Sequence, residues 1–286
     1  MSCSVGKLLY EPALPAQVLD RPRPYAGSFQ NANRSPLLTF GALQDKLASV
    51  TFGEAIMPIT TCVFDAYGTL FDVSAAAREA ASEPAFPALE GNWQALAMHW
   101  RDRQLQYTWL RAVTGDHCDF WQVTQDGLDW ALEACGLAGD AALRERLLQL
   151  YFELSAYPEV PTMLSALKSK GLTTAILSNG SPAMLEGAVG SAGLTDLLDA
   201  NLSVESVGVF KPSAKVYNLV ETELNVSKSE VLFVSSNGWD AGCAAAYGFR
   251  TAWVNRLGLP VDRLPGTPHH ELTDLSTLPK LIAANA

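Results

Sequence analysis

Apolar positions fall into two kinds of pattern along the chain. Ile59 to Phe64 is a short apolar run rich in β-branched residues, the mark of a buried strand. It stops on an acid, Asp65, and Gly68 follows where the backbone has to turn. Leu172–Leu177 predicts a second buried strand, and Ala200–Val204, which is shorter, Val231–Val234 and Phe249–Val254 predict further strands. Between them lie helical stretches: Val160–Lys170 closed by Gly171, Pro212–Leu224, and Asp240–Tyr247 closed by Gly248. Ser181 is placed to cap a further helix, with Pro182 at its first position. Repeated strand–helix units of this size predict a parallel, doubly wound α/β sheet. After Gly258 the tail is Pro-rich and then predicts a short helix near Leu275–Ala283.

From Ser74 to Ser155 the period changes. Trp93, Leu96, Ala97 and Trp100 fall at i, i+3, i+4 and i+7, one apolar stripe. Leu105, Trp109 and Leu110 are expected to continue it. Trp130, Leu132 and Cys135, then Leu143, Leu147, Leu150 and Leu154, mark further helices, and no strand is expected here. The predicted architecture is a Rossmann-like core, residues 57–73 and 156–286, with an inserted helical cap, residues 74–155. Residues 1–56 have a poor pattern broken by Pro12, Pro15, Pro22 and Pro24. They read as an N-terminal extension with little structure, as upstream read-through or as added residues, with Met57 as an alternative start.

Composition narrows the partners. The 286 residues carry a net charge of −10, which argues against nucleic acid or an anionic membrane. An anionic substrate must then be captured by local cations. Five cysteines, Cys3, Cys62, Cys118, Cys135 and Cys243, form no CxxC pair, as expected of reduced thiols in a cytoplasmic protein. No run approaches the roughly 18 apolar residues of a membrane helix. No signal peptide is expected, and Glu11, Asp20 and Asp45 weigh against a transit peptide. Walker, GxGxxG and GxSxG motifs are missing. His269-His270 lies in a Pro-flanked tail without further ligand spacing, so no metal is expected there.

In an open α/β sheet, ligands bind beyond the carboxyl ends of the strands. Those ends offer Asp65 and Thr69, then Ser178 and Asn179, then Ser235, Asn237 and Asp240, with Lys211 at a helix start nearby. A carboxylate able to attack, a cation, several donors and a second carboxylate suit nucleophilic catalysis through an ester. Each residue has a plainer reading alone. Asp is common in turns, Arg101 has surface neighbours in Arg103 and Arg111, and Trp239 suits a core.

Together these segments resemble the haloacid dehalogenase superfamily, and within it the L-2-haloacid dehalogenases. The matching segments are Phe64-Asp65-Ala66-Tyr67-Gly68-Thr69-Leu70-Phe71-Asp72, Leu177-Ser178-Asn179-Gly180-Ser181, Lys211-Pro212 with Val216-Tyr217, and Phe233-Val234-Ser235-Ser236-Asn237-Gly238-Trp239-Asp240. Trp100-Arg101, Gln104-Leu105 and Tyr107-Thr108-Trp109-Leu110-Arg111 extend the match into the helical insertion.

The resemblance implies hydrolysis of short L-2-haloacids to D-2-hydroxyacids and halide, with no cofactor and no metal. It implies that Asp65 attacks C2 and that Lys211, supported by Tyr217, keeps Asp65 ionised. Arg101 with Asn179 and Trp239 is expected to cradle the halide. Ser178, with N–H groups near Ala66 and Asn179, is expected to hold the substrate carboxylate. Tyr67, Leu105, Phe120 and Trp239 wall the alkyl side. Asp240 activates water, oriented by Asn237, Ser235 and Thr69.

Asp102 departs from the family's frequent glutamine and is close enough in sequence to pair with Arg101. A homodimer is implied, through the Trp93–Trp100 or Tyr107–Leu110 faces. A magnesium-dependent phosphatase of the same superfamily is the main rival. It needs an acid where Tyr67 stands and more acids after the last motif strand, since Mg2+ favours carboxylate oxygens. A non-catalytic carboxylate binder is the other alternative, but neither Asp65 nor Lys211 is missing.

Overall fold

The computed structural model describes residues 58–284, which lie within one compact unit. The expectations for residues 1–56 fall outside the described residues. The predicted buried runs form β1 (Thr61–Phe64), β2 (Thr173–Ser178), β3 (Ala200–Ser203), β4 (Val231–Ser235) and β5 (Arg250–Val254), and a sixth strand, β6 (His270–Leu272), follows. All pair in parallel in the order β3-β2-β1-β4-β5-β6. Every residue of β1 and β4 is buried, as the unbroken apolar runs require of strands covered on both faces. The order reverses between β1 and β4, where Phe64 lies beside Val234. Asp65 therefore leaves the sheet at the crevice where such folds place their ligands.

Four helices follow β1: α1 (Ala75–Ser82), α2 (Trp93–Thr114), α3 (Phe120–Ala134) and α4 (Ala141–Phe152). Two backbone stretches carry the chain out to them and back. Phe71 and Ala156 form an antiparallel bridge there, with Asp72 N–H donating to Ser155 O (3.0 Å) and Tyr157 N–H to Leu70 O (2.9 Å). The chain then continues through α5 (Val160–Ser169), α6 (Pro182–Ser191), α7 (Ala214–Leu224), α8 (Gly238–Tyr247) and α9 (Leu278–Ala284). Ser181 caps α6 as expected, accepting from Met184 N–H. Pro212 lies ahead of α7 in a turn, its peptide with Lys211 cis.

Two expectations change. β6 has no apolar run. It is a three-residue edge strand beside β5, secured by His269, whose Nδ1 meets the Thr251 hydroxyl at 3.0 Å. On α2 the buried positions are Leu96, Trp100, Gln104 and Thr108, each four residues apart. Leu110 is instead 59% exposed, Trp109 lies at the surface, and Leu105 is half-buried. The buried stripe runs through polar residues because each is satisfied, Thr108 by donating to the Leu105 carbonyl of α2 itself (2.7 Å) and the others by α3. Gln104 Nε2 donates to Thr124 Oγ1 (3.0 Å) and Trp100 Nε1 donates to Thr124 O (2.8 Å). The helices lie close at Gly127, where a Cβ would stand 3.3 Å from Gln104 Cγ.

Among the described residues no helix is long and apolar enough to cross a membrane. Trp100→Ala is expected to lose about 3–5 kcal/mol of unfolding free energy, the range for a large buried aromatic. Leu110→Ala should stay within about 0.5 kcal/mol, as a surface change does. Urea titration checks both, and equal losses would mean that the stripe is misplaced.

Candidate active site

The turn after β1 is held from within by the Ala66 carbonyl, which accepts the N–H groups of Thr69, Leu70 and Phe71. Gly68 takes φ +89°, a conformation that favours glycine. A Cβ at Gly68 would stand 2.8 Å from Arg101 Nη2, so the missing side chain also leaves room for that guanidinium. The result aims Asp65, 6% exposed, at the crevice. Its Oδ2 accepts from Thr69 Oγ1 (3.0 Å) and Asn237 Nδ2 (2.9 Å), and its Oδ1 faces Lys211 Nζ (3.2 Å). The Thr69 hydroxyl accepts from Ser236 N–H (2.8 Å), which leaves its own hydrogen for Asp65.

Lys211 is buried and its ammonium also donates to Asp240 Oδ2 at 2.8 Å. The other Asp240 oxygen accepts from Tyr217 OH at 2.7 Å. Burial works to lower the Lys211 pKa, but Asp240 and Asp65 together outweigh it, and the net direction is up. Burial pushes Asp240 up against the opposing pull of Lys211. Tyr217 is likewise raised, by burial and then by Asp240.

Arg101 reaches down from α2 to donate to Asn237 Oδ1 (2.7 Å). The Asn237 amide thus joins Arg101 to Asp65. Asn179 uses its Oδ1 to accept the Lys211 N–H (2.9 Å). These groups surround a cavity of about 30 Å3, lined also by Tyr67, Leu105, Phe120, Ser178 and Trp239. That is room for small molecules on the scale of a few atoms. The Tyr67 hydroxyl and Trp239 indole N–H are buried donors with no hydrogen-bond partner among the described residues.

Several expectations are modified. Thr69 and Asn237 close on Asp65, and Ser235 accepts Asn237 N–H (3.1 Å) within its loop. Tyr217 is buried behind Asp240 and bonds to it instead of to Lys211. Ala66 is fully buried and contributes through its backbone. Asp102 is exposed and forms no ion pair with Arg101 among the described residues, because consecutive helical residues face about 100° apart. Two further lining residues went unassigned in the sequence: Gln104 and Tyr151. The signal for both was helical spacing, four residues beyond Trp100 and Leu147. Tyr151 stacks on Tyr67 with ring centres 5.7 Å apart.

Among the described residues no three His, Cys, Asp or Glu side chains gather as a metal site. The two carboxylates that a divalent ion would bridge are joined through Lys211 instead.

A carboxylate–lysine–carboxylate array at the switch point of a doubly wound sheet defines an α/β enzyme with a Rossmann-like fold. The model of the haloacid dehalogenase-like hydrolase family matches residues 59–248, and the chain belongs to that family. It is 46% identical over 225 residues to (S)-2-haloacid dehalogenase 1 of Pseudomonas sp. (strain CBS-3), covering 79% of this chain and 97% of the relative. It is 41% identical over 227 residues to (S)-2-haloacid dehalogenase 4A of Burkholderia cepacia, covering 79% and 96%. Its fold is similar to that of the L-2-haloacid dehalogenase from Xanthobacter autotrophicus with chloropropionic acid covalently bound. That similarity has a TM-score of 0.72 and 38% identity, over 80% of this chain and 100% of the other.

The pKa directions set an alkaline limit on stability. Lys211, Tyr67, Tyr151 and Tyr217 each hold their proton more tightly folded than unfolded, Tyr151 up to about 12. Above pH ~10 the unfolded chain therefore releases protons first, and stability falls as pH rises through the folded values. The thermal midpoint, followed by circular dichroism, is expected to drop steeply between pH 10 and 11. A midpoint unchanged from pH 8 to 11 would contradict the assignment.

Proposed function

We propose that the protein is a hydrolase of carbon–halide bonds that converts short L-2-haloalkanoic acids to D-2-hydroxyacids and halide. The observation that carries this reading is the Asp65 carboxylate, held by Lys211, Thr69 and Asn237 at the wall of a small cavity. A carboxylate so held can attack only a substrate that fits beside it. The names of the relatives supply the substrate class, and the covalently bound chloropropionic acid in the Xanthobacter enzyme supports an ester route.

One Asp65 oxygen attacks C2 from behind the halogen. The C–O bond forms as the carbon–halogen bond breaks, with inversion, and halide leaves with the bonding pair. Arg101, Asn179 and the Trp239 N–H receive the halide. Ser178, with N–H groups near Ala66 and Asn179, receives the substrate carboxylate, and Tyr67, Leu105 and Phe120 border the alkyl group. Water then adds to the ester carbonyl carbon, with Asp240 taking its proton. As the ester C–O bond breaks, Asp240 gives that proton to the departing alkoxide, the hydroxyacid leaves, and the Asp65 carboxyl releases its proton to solvent and is a carboxylate again. Lys211 stays protonated and stabilises charge on both acids.

Residues 74–155 act as a cap over a core of 57–73 and 156–286. A homodimer in the cytoplasm completes the reading. Trp100 is buried and unsuited to pairing, but Met98, Leu110 and Val113 are exposed on α2. The rival phosphatase reading gains nothing at Tyr67, a buried aromatic where that chemistry needs an acid.

Chloride release from each enantiomer of 2-chloropropionate, with and without EDTA, tests the reaction. Release from the S enantiomer alone, unchanged by EDTA, is expected, and hydrolysis of phosphate esters that requires magnesium would sink the proposal.

Arg101→Ala should cut turnover roughly 100-fold or more, the scale for removing a main charge stabiliser. Steady-state kinetics near wild type would remove Arg101 from the halide cradle.

A single turnover in 18O-water with enzyme in excess should label Asp65 and leave the hydroxyacid mostly 16O. Asp240→Asn should let the ester accumulate. Label in the first product, with Asp65 unlabelled by peptide mass analysis, would replace the ester route by direct water attack.

A further inference from the structure

Arg256 lies two residues beyond β5, outside the cavity, and nothing in the proposed reaction uses it. Its guanidinium nevertheless touches three residues on two separate stretches of chain. Nη2 donates to the Thr69 carbonyl at 3.2 Å. Nη1 pairs with Glu159 Oε1 at 2.7 Å, and the guanidinium carbon lies 3.7 Å above the Tyr157 ring. The side chain is 18% exposed, so these contacts are largely screened from water. Thr69 precedes the stretch that leaves for α1, and Tyr157 and Glu159 follow the stretch that returns from α4. The base of Arg256 is itself anchored. The neighbouring Asn255 side chain exchanges two hydrogen bonds with the Leu259 backbone, both 2.9 Å, and donates to Glu271 at 2.6 Å.

We propose that Arg256 is a positioning residue for Asp65 and acts through Thr69. The turn carrying Thr69 is held from inside by the Ala66 carbonyl; from outside Tyr157 N–H reaches the Leu70 carbonyl, Ser236 N–H reaches the Thr69 hydroxyl, and this guanidinium reaches the Thr69 carbonyl. The Thr69 hydroxyl must meet Asp65 Oδ2 and Ser236 N–H at once, at 3.0 and 2.8 Å, so a small rotation of the turn loses one of them. Arg256 pins the carbonyl of that same residue and fixes the rotation. The planar fork matters: one group of nitrogens reaches the carbonyl and the carboxylate while the face stacks on Tyr157. A lysine cannot do all three.

The proposal rests on the ester route through Asp65, and its test separates the two. Kinetics on S-2-chloropropionate are measured for Arg256→Ala, Arg256→Lys, Thr69→Ala and the Thr69→Ala/Arg256→Ala pair. Arg256→Ala should lower kcat about 10-fold with KM within about twofold, since no substrate contact is lost. Arg256→Lys, which keeps the charge and is the safer variant to fold, should still lose several-fold. In the pair, the Arg256 change should cost less than about twofold beyond Thr69→Ala, because residues acting through one another are not additive.

Independently of activity, amide hydrogen exchange across residues 66–71 should quicken in both Arg256 variants. Losses that multiply in the pair, a wild-type kcat in Arg256→Lys, or unchanged exchange at 66–71 would overturn the proposal. Wild-type protein that releases no chloride counts against the reaction, and the exchange result then decides the role of Arg256 alone.

Discussion

The site depends on one buried ammonium. Lys211 stands between Asp65 and Asp240, 3.2 and 2.8 Å from their oxygens. Removing three charges from water is costly, and their attraction repays this only with good geometry and further hydrogen bonds. Those bonds are present: Thr69 and Asn237 on Asp65, Tyr217 on Asp240. The array still carries one net negative charge. Arg101 lies over Gly68 and is linked through Asn237, so it extends the network towards balance. Such an arrangement is weak evidence for stability. What it does is aim the Asp65 carboxylate at the crevice, while burial pushes the second acid, Asp240, up.

The same constraint explains the inserted helices. A buried carboxylate beside a small cavity is served by helices that cover it and bring a cation of their own. α2 does both. Its buried face, Leu96, Trp100, Gln104 and Thr108, packs on neighbouring helices. The adjacent face lowers Arg101 and Leu105 into the cavity. A glutamine serves in the buried stripe because Thr124 answers it, and a hydrogen-bonded buried amide costs far less than an orphaned one. Trp109 then meets Trp239 edge to face, 5.4 Å between centres, beside the mouth.

Much was determined by sequence alone. Unbroken apolar runs of four to six residues specify strands covered on both sides, and their spacing by helical segments leaves few topologies open. Asp65, Ser178 and Ser235 each end such a run, which places them at one edge of the sheet before any contact is known. The motif residues Lys211, Asn237 and Asp240 were likewise legible, because their positions follow from the ends of elements.

What only the tertiary structure decided is which partner each polar group takes. Thr69 and Asn237 serve Asp65 because the turn after β1 and the loop after β4 lie side by side, whereas Asp240, one turn into α8, looks towards Tyr217. Asp102 follows Arg101 in the chain yet faces solvent, since a helix rotates neighbours apart. Apolar periodicity mistook Leu105, Trp109 and Leu110 for a continued stripe, because a buried glutamine is paired by Thr124, twenty positions away, and a buried threonine by the Leu105 carbonyl of its own helix. β6 has too few apolar residues to announce itself and exists only because β5 offers an edge. The physical reason is common to all of these. Period and hydrophobicity encode which side of an element meets the core, but a hydrogen bond depends on two distant segments arriving within 3 Å, and one segment alone does not contain that distance.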